Sequence, residues 1–166
     1  MLELFAGDVA ETRALGRALA ELATPGTVLA LVGGLGAGKT CFVQGIGLGA
    51  GVEDDVVSPT FILIAEHAGR LPLLHADLYR VAPEELPGLG LEEALERWPG
   101  IAAVEWADRG WDCLPEDHLR LELTEWGAGR RLRATATGPR HAALLARWVE
   151  ARDRQDRQDE ESGRHG

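Results

Sequence analysis

Apolar residues recur along this chain at two spacings, and the switches between them mark out the elements. Met1 to Phe5 alternates like a short edge strand. Gly7-Asp8 then offers an N-cap with Glu11 three residues on, the spacing of a capping box, and Leu15, Leu19 and Leu22 follow at helical spacing until Thr24-Pro25-Gly26 breaks the run. Thr27 to Val32 is continuously apolar and rich in strand formers, which predicts a central strand buried on both faces. Past a glycine-rich segment, Thr40 to Leu48 reads as a helix and Gly49 to Val57 as an acidic, flexible loop. Phe61 to Glu66 and Leu71 to Ala76 flank Gly69-Arg70 as an antiparallel hairpin, and Pro83 to Trp98 is helical with an interruption at Pro87-Gly88.

Ile101 to Val104 reads as a short buried strand, and Leu119–Leu123 with Leu132–Thr137 as a second hairpin around Gly127 and Gly129. His141 to Arg152 is a terminal helix carrying Leu144, Leu145, Trp148 and Val149. From Asp153 the chain is almost wholly polar, so residues 153–166 are expected to be a disordered tail behind a single domain over residues 1–152. A buried strand with a glycine-rich turn, followed by more hairpins than helices, predicts an α/β fold with a P-loop NTPase-like sheet of mixed direction flanked by helices.

Composition narrows the picture. A length of 166 residues suffices to bury roughly two-thirds of the unfolded surface without metal or disulfide staples. The formal net charge of −10 disfavours direct tRNA or DNA binding, which relies on clustered Lys and Arg. Cys41 and Cys113 make no disulfide framework, and Cys41 adjoins the glycine-rich segment, where a bridge would obstruct it. With no basic leader and no apolar stretch near the ~18 residues of a membrane span, a reducing cytoplasm is the expected location.

The chemistry concentrates in Gly33-Gly34-Leu35-Gly36-Ala37-Gly38-Lys39-Thr40, which matches G-x-x-x-x-G-K-[ST] between a buried strand and a helix. Glycines let the backbone wrap so that Gly33, Gly36, Ala37 and Gly38 turn N–H groups toward phosphate oxygens, and the helix N-terminus, including Cys41, adds a favourable dipole. Lys39 reaches the β and γ phosphates and the Thr40 hydroxyl is a Mg²⁺ ligand. Lys39 is also the only lysine in the chain, although Lys plus Arg number seventeen. A lone ammonium in so arginine-biased a chain points to a site that needs a compact charge instead of a planar fork.

Such sites also need a carboxylate at a neighbouring strand end. Two candidates close apolar runs, Asp77 after LPLLHA and Glu105 after IAAV. Ser58-Pro59-Thr60 ends the acidic loop, so the Thr60 hydroxyl could meet the γ-phosphate or Mg²⁺. His75 reads as a strand histidine, and Trp98, Trp111, Trp126 and Trp148 as core or hairpin residues, with Trp106 set apart by adjoining Glu105.

Taken in order, GGLGAGKT, SPTF, HADLYR and VEW resemble the bacterial TsaE (YjeE) ATPases, over residues from about Glu11 to about Thr137. The resemblance implies ATP and Mg²⁺, with Lys39 on the phosphates, Thr40 and Glu105 on the metal, and Asp77 near the metal and the attacking water. It makes Thr60 the switch threonine, sets Trp106 beside the nucleotide and brings Thr12 toward the base. It further implies an energy-transducing role with TsaB and TsaD, reaching tRNA only through that complex. The family usually has Asp where this chain has Gly34, a position that does not itself grip phosphate. A small-molecule kinase using the same P-loop is the alternative, although Arg130, Arg131 and Arg133 fall in a hairpin and not in a helical lid. A third reading, a GTPase switch, normally uses N-K-x-D for guanine, and that motif is absent, since the chain has no Asn.

Overall fold

The computed structural model describes residues 1–59 and 63–164. Among the described residues, seven strands form one sheet: β1 (Leu2–Ala6), β2 (Thr27–Val32), β3 (Ile64–His67), β4 (Leu73–Asp77), β5 (Ile101–Glu105), β6 (Leu119–Trp126) and β7 (Gly129–Ala136). Four α-helices accompany them: α1 (Val9–Leu22), α2 (Lys39–Gly49), α3 (Leu91–Arg97) and α4 (Pro139–Gly163). The order across the sheet is β1-β7-β6-β2-β5-β4-β3. β2 therefore lies at the centre, as its unbroken apolar run predicts, and every one of its residues is buried.

Direction is mixed, as expected. β2 runs parallel to β5 and β6, and β4 parallel to β5, whereas β1–β7, β6–β7 and β3–β4 are antiparallel. Period-two alternation divides the core into two layers. Leu29, Leu31, Leu73 and Ala103 face α1, α2 and α4, while Val28, Ala30, Leu74 and Val104 face α3 and its flanking turns. The odd-numbered positions of β4 and β5 thus look toward the helix that follows the glycine-rich loop. This sidedness decides which strand-end groups can meet it.

Helix α1 begins at Asp8, whose side chain accepts from Glu11 N–H at 2.8 Å. The Glu11 carboxylate returns the bond to Gly7 N–H, one residue earlier than the expected capping box. α1 and α2 then pack at backbone contact, because Gly16, Gly45 and Gly49 leave no side chain between them. The expected break at Pro87-Gly88 lies elsewhere. Pro87 is accommodated in a 3₁₀ turn over Pro83–Leu89, and the chain reorients at Gly90, which is left-handed with φ of 68°. Trp148 is fully buried beneath the sheet, and Trp126 stands exposed at the β6–β7 turn.

The polar stretch from Asp153, expected to be disordered, instead continues α4 to Gly163. It is composed mostly of Arg, Gln, Asp and Glu, which tolerate a helix, and makes i,i+4 contacts: an ion pair of Arg152 with Asp156 at 3.8 Å and a hydrogen bond from the Gln155 amide to Asp159 at 3.3 Å. Lacking apolar residues, it runs exposed as an extension of the packed segment. Among the described residues no helix is long and apolar enough to cross a membrane, and Cys41 and Cys113 are free thiols.

The docking of α4 turns on one buried histidine. His141 Nε2 accepts from Val28 N–H at 2.9 Å, and its Nδ1 lies 2.8 Å from Asp117 Oδ1, which also accepts from His141 N–H. This pattern requires the neutral ring with its proton on Nδ1. Burial pushes the His141 pKa below 6.5, against the pull of the Asp117 hydrogen bond and charge, and Arg140 and His118 push the same way as burial. For Asp117 burial works upward, but the N–H of Arg140, the His141 ring and the His141 N–H together hold its carboxyl below the usual value.

With the folded pKa of His141 depressed, its contribution is whole above 6.5 and is lost as pH falls through the folded value. The loss grows by about 1.4 kcal/mol per pH unit across that window. Thermal melting should therefore show a lower Tm at pH 5 than at pH 7.5, and His141→Gln should flatten that difference. An equal pH dependence in both proteins would remove His141 as the cause.

Candidate nucleotide site

The site is built where three parallel strands end together. β2 leaves the sheet at Val32, and the chain turns through Gly33, whose added Cβ would lie 2.5 Å from Leu123 O on β6. Only glycine lets the loop pass that strand. At the far end Gly38 serves as the N-cap of α2 with φ of 101°, a left-handed conformation that opens the helix N-terminus toward the loop. The Lys39 ammonium donates to Gly33 O and Gly34 O, each at 2.7 Å, and is only 4% exposed. Burial lowers its pKa, opposed by the charges of Glu105, Asp77 and Asp108.

The two strand-end acids come together opposite this loop. Asp77 and Glu105 are register partners on β4 and β5, and both are buried. Glu105 Oε1 accepts from the Thr40 hydroxyl at 2.9 Å, and its Oε2 lies 2.5 Å from His75 Nε2. Asp77 is held differently, accepting from the Ser58 hydroxyl at 2.7 Å and from Tyr79 N–H at 2.9 Å. One carboxylate is thereby tied to the first turn of α2, and the other to the loop that follows α2.

Trp106, directly after Glu105, has φ of 56° and ψ of 40°, a left-handed conformation costly for a bulky side chain. The turn carries its ring over Lys39, with Nζ 4.3 Å from the ring centroid. Tyr79 packs against the same ring at 4.7 Å, and the Arg109 guanidinium lies 5.5 Å from its centroid. Trp106 is thus an aromatic wall between the loop lysine and an outer arginine.

These groups line a cleft of about 420 Å³ that includes Gly36, Lys39, Thr40, Asp77, Glu105 and Trp106. Thr12 is not in it. It lies across the loop in an adjoining cavity of about 380 Å³, with Asp8 and Arg130, and Gly36, Gly38 and Cys41 line both spaces. The Thr12 hydroxyl donates to Asp8 O at 3.2 Å, and Arg130 donates to Gly36 O at 2.9 Å. Thr60 lies outside the described residues.

The oxygen donors suit a hard divalent cation, one hydroxyl and one or two carboxylates beside a cationic, amide-rich loop. Among the described residues no group of three or more His, Cys, Asp and Glu side chains forms a metal cage. The set fits an ion that completes its shell with water and nucleotide phosphates, as Mg²⁺ does.

Three residues of this site carry no site role in the sequence reading, where His75 is a strand histidine: Ser58 on Asp77, His75 on Glu105 and Tyr79 under Trp106. Their signal was present but weak. Ser58 adjoins the Pro-Thr pair, and His75 and Tyr79 sit two residues either side of Asp77, on the same face of an extended strand and just past its end.

Comparison with known proteins identifies a family. The sequence model of the TsaE family, described as "Threonylcarbamoyl adenosine biosynthesis protein TsaE", matches residues 6–132. A protein of Nostoc sp. named tRNA threonylcarbamoyladenosine biosynthesis protein TsaE is 44% identical over 135 residues, covering 79% of this chain and 83% of that protein. A Bacillus subtilis protein of the same name is 41% identical over 136 residues, covering 81% and 85%. The crystal structure of Bacillus subtilis YdiB superposes with a TM-score of 0.80 at 34% identity, covering 90% of this chain and 95% of that one. By the extent of the family match and by the fold that carries its motifs, the chain belongs to the TsaE family.

Proposed function

We propose that this protein is the Mg²⁺-dependent ATP-binding and ATP-hydrolysing subunit of the tRNA threonylcarbamoyladenosine machinery, acting with TsaB and TsaD to drive or reset the transfer cycle. The observation that carries the proposal is the Thr40 hydroxyl bonded to a buried strand-end carboxylate, Glu105, beside the buried Lys39 at the mouth of the glycine loop. P-loop ATPases assemble a metal and phosphate clamp from these parts. The names of the relatives supply the pathway.

On this assignment the loop N–H groups of Gly36, Ala37, Gly38 and Cys41 hold phosphate oxygens, and Lys39 leaves the Gly33 and Gly34 carbonyls to meet the β and γ phosphates. Thr40 and Glu105 hold Mg²⁺, which when bound neutralises charge on the phosphate oxygens. Asp77, kept in place by Ser58 and Tyr79 N–H, orients the water that attacks the γ-phosphorus and takes up its proton as the bond to the bridging oxygen breaks. Thr60 senses the γ-phosphate as the switch threonine. Trp106 covers Lys39 and excludes solvent, while the cavity holding Thr12 receives the base.

The acidic balance of the chain leaves contact with tRNA to its partners, and its free thiols suit a cytoplasmic setting. The test is phosphate release from ATP by the purified chain, alone and with a TsaB–TsaD pair. Slow release alone, altered by the pair, is the expected result. Release indifferent to the pair would remove the partner role, and tight ATP binding without release in either case would favour a kinase awaiting its acceptor.

A further inference from the structure

We propose that His75 is a positioning residue for Glu105, fixing the carboxylate from the core side so that Oε1 stays directed at Thr40 and the metal position. The inference rests on Glu105 being a metal ligand, as proposed above. The ring is fully buried on β4, and its Nε2 lies 2.5 Å from Glu105 Oε2. The register explains the reach. His75 pairs with Ala103 and Asp77 with Glu105, so the ring stands one step behind the acid pair on the face turned toward α2.

Two physical points favour a positioning role over simple packing. First, His75 Nδ1 is buried with no hydrogen-bond partner among the described residues. Leaving a polar atom so carries a desolvation cost that an apolar side chain there would avoid, and its neighbours on this face, Leu73, Ile101 and Ala103, are apolar. The bond through Nε2 is the polar contact that a leucine could not supply. A carboxylate acceptor requires the proton on Nε2, and the bare lone pair on Nδ1 is then the cheaper of the two nitrogens to leave unpartnered.

Second, Glu has one more rotatable bond than the Asp often found at this place in P-loop proteins, and its carboxylate wanders unless both oxygens are held. Thr40 holds Oε1 at 2.9 Å and His75 holds Oε2. Hydrogen bonds behind a metal ligand commonly change metal affinity by about 10–100-fold when removed.

The experiment compares wild type with His75→Phe, which fills the space of the ring but cannot donate, and His75→Gln, whose amide can. Mn²⁺ binding to the protein–ADP complex is measured by electron paramagnetic resonance, and ADP affinity is measured separately in chelator. His75→Phe should weaken Mn²⁺ binding by about 10–100-fold and leave metal-free ADP affinity unchanged, and His75→Gln should recover most of the loss. A merely structural role would lower the Tm and weaken ADP binding with and without metal alike, and that pattern overturns the proposal. So does wild-type Mn²⁺ affinity in His75→Phe. Should His75→Phe fail to fold, His75→Leu carries the same comparison. Glu105→Gln separates the two assignments. If it binds Mn²⁺ as wild type does, the ligand role of Glu105 falls and the His75 role with it; if it loses Mn²⁺ while His75→Phe does not, only the His75 role falls.

Discussion

Lys39→Ala should cut ATP turnover by roughly 10²–10³-fold, the range seen when one preorganised charge-stabilising donor is removed from a site. The residue is buried to 4% exposure, and among the described residues no other cation takes its place on the loop carbonyls of Gly33 and Gly34. Its ammonium is costly where it stands. Burial lowers its pKa, and the charges of Glu105, Asp77 and Asp108 pull the other way. Removing it takes away a desolvated cation and also a positive charge that interacts with the buried carboxylates of Glu105 and Asp77, and these effects oppose one another. The Tm should stay close to wild type. Lys39→Arg should not rescue turnover, because a planar fork cannot fit between the loop carbonyls and the Trp106 ring 4.3 Å away. Phosphate release and ATP binding by the two variants check this, and wild-type turnover in Lys39→Ala would refute the phosphate role of Lys39.

How much of this could be read from the chain depends on how local each cause is. The central place of β2 followed from the unbroken apolar run of Thr27 to Val32, and the loop from spacing alone. Asp77 and Glu105 were legible as the acids closing two apolar strands, because a strand's last residue is a local property. Their being neighbours was not, since that needs the β4–β5 register. The His75–Glu105 and Ser58–Asp77 bonds join residues 30 and 19 positions apart, the first through the same register and the second through the path of the loop after α2. The extension of α4 past Arg152 was hidden for the opposite reason. Composition without apolar residues resembles disorder, and i,i+4 charge pairs leave little mark on it. Trp106 over Lys39 requires a left-handed turn that no sequence pattern announces for tryptophan.

Gly45→Ala should destabilise the protein by roughly 2–3 kcal/mol, a Tm fall of about 4–12 °C, although alanine is the better helix former by about 1 kcal/mol. The reason lies in the α1–α2 contact. A Cβ at Gly45 would stand 2.0 Å from Arg13 O, at Gly49 2.3 Å from Arg17 O, and at Gly16 2.2 Å from Phe42 O. Each clash is with rigid backbone, so relief requires the helices to part. At Gly47 the nearest atom is instead the end of the Val56 side chain at 2.8 Å, which can turn away, and at Gly163 nothing lies within 4 Å. The same substitution at the three places should therefore form a graded series, large at Gly45, small at Gly47 and near zero at Gly163, measurable by thermal melting. The consequence reaches the site as well. α2 opens with Lys39 and Thr40, and α1 brings Asp8 and Thr12 to the cavity beside the glycine loop. Parting the helices moves Thr12 away from Gly38, so nucleotide affinity should fall in Gly45→Ala and hold in Gly163→Ala. A Gly45→Ala protein that melts and binds as wild type does would mean that the two backbones are not in contact.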